Sequence, residues 1–364
     1  MAMTPFHLRA EVMGTLTFNP VADDQTGPPC ANPKRLRRVL SIDGGGIKGV
    51  FACAFLAQIE EYLESEGKDP NLHTYFDLMA GTSTGGIIAI GLGMGFSARQ
   101  ILEMYITRGP EIFAQDQRGS AGVRQRFKTK RKMLKGPAYS TKALETGLKS
   151  LLQNRLLGHA KTRLVIPSVH AESLAPYIFK TRHSARFARD HTEPAVTVAL
   201  ATAAAPTFFE GHTTASGVTT LDGGLGANNP IAIAVSEAIG ELDWPREDVR
   251  VLSISCTTEP NSLQPNSKKL DMAFGAGIAK LMAVQSQMAI GMAHILLGDH
   301  GGNSHRAIFR VDEVVEPGRF ALDKTSEISA LRSLGSAKAR IRSADLAPIF
   351  FTQPAEAFTP VTGA

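Results

Sequence analysis

The sequence predicts an α/β fold, a three-layer α/β/α sandwich around a mainly parallel central sheet. Continuous apolar runs at 38–42, 76–80, 163–169 and 249–255 are of the kind that a parallel sheet buries on both faces. Stretches of helical spacing lie between them, the alternation that layers helices on a sheet. Two of the runs end in glycine-rich turns that open into helices, at 43–49 and 81–86.

Residues 1–35 mix Pro, Gly, Asp and Asn without a period, so this N-terminal arm is expected to be irregular. The core is expected over 36–240. Arg38-Val39-Leu40-Ser41-Ile42 reads as its first strand. Phe51, Phe55, Ile59, Tyr62 and Leu63 then recur at three- and four-residue steps, one face of a helix closed by Gly67. Phe76-Asp77-Leu78-Met79-Ala80 reads as the next strand, and Ile87 begins a helix buried on most sides. Residues 241–364 read as a C-terminal extension packed on the core. They carry a strand, a Met-rich helical region over 272–296 and a last segment with Leu331, Leu334 and Ile341; the Met-rich region reads either as core or as an adaptable surface that accepts acyl chains or a partner subunit.

Composition narrows the function classes. The 364 residues suffice for one large domain or two, and 43% apolar with 20% charged residues excludes fibrous and low-complexity chains. A net charge of +5 attracts anionic partners only mildly, and no nucleic acid polymer is expected. Cys30, Cys53 and Cys256 are odd in number and scattered, which suits a reducing interior better than a disulfide framework or a metal site. The first residues lack the pattern of a secretory signal, so a cytoplasmic location is expected. Two windows, 78–98 and 281–298, approach bilayer length. The first holds six glycines, and the second Gln285, Ser286, Gln287 and His294, so both are expected to be buried core helices.

The chemistry concentrates in three places. Gly81-Thr82-Ser83-Thr84-Gly85 between a strand and a helix has the form of a nucleophile elbow, with Ser83 at a helix N-terminus whose dipole favours developing negative charge. Gly44, Gly45 and Gly46 present backbone N–H groups with no side chain in the way, as an oxyanion hole requires. Asp222, followed by Gly223 and Gly224, is a carboxylate on a glycine turn. It either makes its own turn bond or serves as a base, and the second role needs burial to raise its basicity. The histidines His170, His212, His294, His300 and His305 could complete a triad by number, but none sits in a motif, and no metal site or cofactor is expected.

Together, Asp43-Gly44-Gly45-Gly46-Ile47-Lys48-Gly49, Gly81-x-Ser83-x-Gly85 and Asp222-Gly223-Gly224 resemble the patatin-like phospholipases in order and spacing. The likeness extends over 38–238, through Thr202, Pro206, Phe208 and Phe209 to Asn228-Asn229-Pro230. It implies a Ser83–Asp222 dyad, an oxyanion hole at Gly44, Gly45 and Gly46, and hydrolysis of fatty acyl esters of membrane phospholipids through an acyl-enzyme without metal. A narrower resemblance is to bacterial patatin-like effectors of anti-phage systems. It implies activation by a cyclic dinucleotide and action at the inner membrane surface, with a homo-oligomer as a further expectation.

Two other classes compete. The 44–49 loop also satisfies G-x-G-x-x-G, and the acids from Glu60 to Glu66 imitate a ribose partner, which would make the chain an NAD-binding oxidoreductase. A non-catalytic nucleotide sensor is the third. A basic run over 124–135 is a candidate anion contact, whether for a nucleotide or for lipid head groups.

Overall fold

The computed structural model describes residues 35–114, 138–259, 274–299 and 306–362, with the side chains of 274–280 left aside. Nearly all of the N-terminal arm, the basic run 124–135, Cys30, Met272, His300 and His305 lie outside these residues. Eight strands form one sheet: β1 (Arg37–Ile42), β2 (Leu78–Gly81), β3 (Arg163–His170), β4 (Pro176–Lys180), β5 (His212–Thr213), β6 (Thr219–Asp222), β7 (Val249–Ile254) and β8 (Ile308–Val311). Their order is β5-β6-β3-β2-β1-β7-β8, with β4 also on β3.

The strands β3, β2, β1, β7 and β8 run parallel, as the continuous apolar runs require, and β4, β5 and β6 add antiparallel pairings at one side. Side chains alternate between two cores. Leu40, Ile42, Met79, Leu164, Ile166, Leu252 and Ile254 face the larger one. Val39, Leu78, Ala80, Val165, Val249 and Val251 face the smaller. Two buried faces on one sheet make the three-layer sandwich that the sequence predicts.

Nine helices are described: α1 (Gly49–Ser65), α2 (Thr84–Gly93), α3 (Ala98–Ile112), α4 (Thr141–Leu152), α5 (Ala195–Thr202), α6 (Gly224–Ala227), α7 (Ile231–Ser236), α8 (Phe274–Leu297) and α9 (Ile328–Phe350). All ten residues of α2 are buried, which explains why the 78–98 window resembles a membrane span. The segment 241–364 gives β7 and β8 to the sheet and lays α9 along α1. Gly335 permits that crossing, since a Cβ there would overlap the Phe51 carbonyl.

The second apolar window departs from expectation. Instead of a buried core helix, α8 buries Ser286, Ala293 and Leu297 but leaves Leu281, Val284, Met288, Met292 and Ile295 in solvent. No described helix is long and apolar enough to cross a membrane.

Candidate active site

The two key side chains meet because two strands share one edge of β3. Val165 pairs with both β2 and β4, while Ser168 pairs with both β4 and β6. With β4 on one side throughout, β2 and β6 must follow one another along the other. Running in opposite directions, they end facing each other, β2 at Gly81 and β6 at Asp222. The chain leaves β2 in a tight turn, and Ser83 stands at its apex with φ of 55°. That left-handed value is unusual for a serine and marks a held, strained backbone. Cβ atoms at Gly81 or Gly85 would overlap neighbouring backbone, which fixes why this corner is flanked by glycine.

Ser83 Oγ donates to Asp222 Oδ2 at 2.7 Å. Asp222 Oδ1 accepts the Gly224 N–H at 2.6 Å, so the turn bond and the contact to serine use different oxygens of one carboxylate. The two readings of Asp222 that the sequence leaves open are therefore both realised. Burial pushes its pKa up to about 6 against the pull of the Ser83 and Gly224 bonds. That is the rise in basicity a carboxylate needs to accept a hydroxyl proton near neutral pH.

Thr202 ties the corner together. Its Oγ1 accepts the Ser83 N–H at 3.0 Å and donates to the Pro167 carbonyl at 2.6 Å, while its carbonyl accepts the Gly223 N–H at 3.0 Å. Tyr105, fully within the core, hydrogen-bonds Thr84 next to the serine. Ser83, Asp222, Gly45 and Gly46 open on an apolar cavity lined by Ile87, Phe113, Phe208, Phe209 and Met282.

The three glycines expected to form the oxyanion hole separate on inspection. The Gly44 amide donates to the Asn228 carbonyl at 2.9 Å and is already engaged. A Cβ on Gly44 would come to 2.5 Å from Asn228 Oδ1 and 3.3 Å from Ser83 Cβ, so this glycine serves close packing. Gly45 and Gly46 line the cavity, and among the described residues their amides have no protein acceptor. Ahead of them, Asp43 is buried and held by Arg310, a residue with no motif around it in the sequence.

Other candidates fall elsewhere. His170 bonds Ser173 in a turn, His294 bonds the Asp299 carbonyl, and among the described residues no histidine lines the cavity. Glu60, weighed as a ribose partner, is fully buried and accepts the Ala98 and Arg99 N–H groups at 2.5 and 3.2 Å. Its carboxylate caps α3 and has no face left for a dinucleotide.

A serine hydroxyl bonded to a buried carboxylate at an apolar cavity, on an α/β/α scaffold, defines a serine–carboxylate acyl hydrolase class. Residues 40–235, more than half of the chain, match the family model described as patatin-like phospholipase. A protein of Vibrio cholerae named cGAMP-activated phospholipase is 35% identical over 66% of this chain and 70% of its own length. One of the same name from Escherichia coli is 36% identical over 64% of this chain and 66% of its own. A third, from Pseudomonas aeruginosa, is 31% identical over 80% and 81%. The chain belongs to the patatin-like phospholipase family.

Proposed function

We propose that this protein hydrolyses fatty acyl esters of membrane phospholipids and that a cyclic dinucleotide switches it on. The observation that carries the reading is the 2.7 Å bond from Ser83 Oγ to Asp222 Oδ2 at the floor of an apolar cavity. In this mechanism Ser83 Oγ attacks the ester carbonyl while Asp222 takes its proton. The amides of Gly45 and Gly46 hold the oxyanion that forms. Collapse expels the lysolipid alkoxide, which recovers the proton from Asp222 and leaves an acyl group on Ser83. Water then attacks the acyl-enzyme, Asp222 accepts its proton, and the fatty acid leaves as Ser83 is reprotonated.

The lining suits an acyl chain, and apart from the Asp222 carboxylate no charged side chain among the described residues lines it, so a head group stays at the mouth. Activation by a cyclic dinucleotide is supported by the names of three relatives at 31–36% identity. The site of action in this reading is the inner membrane surface, approached from the cytoplasm. The test is fatty acid release from phospholipid vesicles with and without cGAMP. Release is expected to rise with the nucleotide and to vanish in Ser83→Ala, and wild-type release by that variant would overturn the assignment.

A further inference from the structure

Helix α8 carries an apolar stripe that is exposed among the described residues. Leu281, Val284, Met288, Met292 and Ile295 follow at steps of three and four residues, and so stand on one side of the helix. They are 58, 54, 63, 52 and 69% exposed, while Ala293 and Leu297 on the other side are buried. At 1.5 Å per residue the stripe runs for about 21 Å. Scattered exposed apolar residues are ordinary, whereas five in a line mark a surface that meets something.

The same helix reaches the cavity. Met282, adjacent to the first residue of the stripe, lines the cavity with Ser83 and Asp222, and a Cβ on Gly224 would meet its terminal methyl. Gln285 Nε2 donates to the Leu225 carbonyl, seating the middle of α8 on the segment that follows Asp222. The stripe therefore begins beside Met282, the residue through which α8 lines the cavity. We infer that it is a bilayer-docking surface, laid in the boundary between head groups and acyl chains with the cavity facing the lipid. This rests on the phospholipid hydrolase reading above.

Charge favours lipid over a second copy of the chain. Paired helices choose partner and orientation through charged residues beside the apolar seam. Between 281 and 297 there is no Asp, Glu, Lys or Arg, and Gln285, Gln287 and Gly291 occupy flanking positions. The stretch itself brings no ion into the boundary region, and the charged residues that share a groove with Met292, Arg186, Glu237 and Glu241, are held in ion pairs, Arg186 with Glu241 and Glu237 with Lys180. Methionines at 288 and 292 adapt to an irregular lipid surface.

The test uses the full chain with cGAMP, vesicles of phosphatidylglycerol and phosphatidylethanolamine, and a soluble short-chain nitrophenyl ester. In Met288→Gln/Ile295→Gln, co-sedimentation with vesicles and fatty acid release are expected to fall about tenfold, with ester hydrolysis within about twofold of wild type. Ile341→Gln, at a 72% exposed position on α9, is the control and should change neither. Vesicle binding equal to wild type in the double variant overturns the proposal, as does a dimer in light scattering that the variant dissolves while still binding vesicles. If wild type cleaves neither ester nor lipid, the hydrolase reading fails, and sedimentation still decides the docking surface.

Discussion

Arg310, on the edge strand β8, reaches across β7 and holds Asp43 at the end of β1 with both terminal guanidinium nitrogens, Nη1 at 2.9 Å. Nη1 also donates to Ser253 Oγ at 2.7 Å on the strand between them. Asp43 immediately precedes the glycine turn, and its carbonyl accepts the Cys256 thiol at 3.2 Å. Arg310, 267 positions from Asp43, thus holds the carboxylate that immediately precedes the Gly44–Gly46 turn. In the proposed mechanism Arg310 is a positioning residue, acting through Asp43.

Arg310→Ala strands a buried carboxylate without its cation, a loss of about 3–5 kcal/mol that threatens the fold itself. Arg310→Lys is the informative change, because it keeps the charge and gives up the two-pronged contact. It is expected to fold with a Tm lowered by a few degrees. On a soluble ester its kcat should drop about tenfold with KM within about twofold, the signature of a contact felt in the transition state. A lowered Tm with unchanged kcat would reduce the pair to a structural tie.

Glu60 offers a stability test away from the cavity. Burial pushes its pKa up to about 7, although the Ala98 and Arg99 N–H groups and the Arg99 charge pull the other way. A carboxyl raised in the fold favours the native state while protonated. Its contribution is fully present below the ordinary value of 4.5 and is lost as pH rises through about 7. In Glu60→Gln the side chain stays neutral, so thermal melts should show the variant gaining on wild type between pH 5 and 8. Parallel Tm curves across that window would contradict this.

Much of this arrangement is legible in the residues. Buried strands announce themselves as continuous apolar runs, and Ser83 between Gly81 and Gly85 declares a corner because local sterics allow little else there. Asp222 is visible as an acid on a glycine turn, but its distance from Ser83 is not. That distance depends on β6 joining β3 beyond the end of β2, with Ser168 opposite Asp222, a register that no local pattern encodes and that brings together two residues 139 positions apart. Arg310 is hidden for the same reason: in Ile308-Phe309-Arg310-Val311 it looks like an outward residue of an edge strand. The apolar side of α8 is ambiguous in the opposite sense, since hydrophobicity alone cannot distinguish a core helix from an exposed apolar surface. Gly44 joins its two neighbours in the motif, yet its amide is spent on Asn228, a bond set by the turn after β6.

With Asp222 as the base of the proposed mechanism, its carboxyl sets the pH at which the chemistry runs. Burial raises it from 3.8 to about 6, and the bonds from Ser83 and Gly224 hold it from rising further. Only the ionised form can accept the proton of Ser83 Oγ, so kcat/KM for a soluble ester should climb through about pH 6 and level off above it. One unit below that pKa about a tenth of the enzyme is ionised, which sets an approximately tenfold loss at pH 5. The stability effect has the opposite slope: the raised carboxyl favours the fold below about pH 4 and loses that contribution by pH 6, so activity appears where this group stabilises least. Asp222→Asn cannot take a proton and should lower kcat by about a hundredfold or more at every pH, while its amide preserves the bond to Ser83 and the local packing. A wild-type profile flat from pH 5 to 8, or an asparagine variant with an unchanged acid limb, would assign the base to another group.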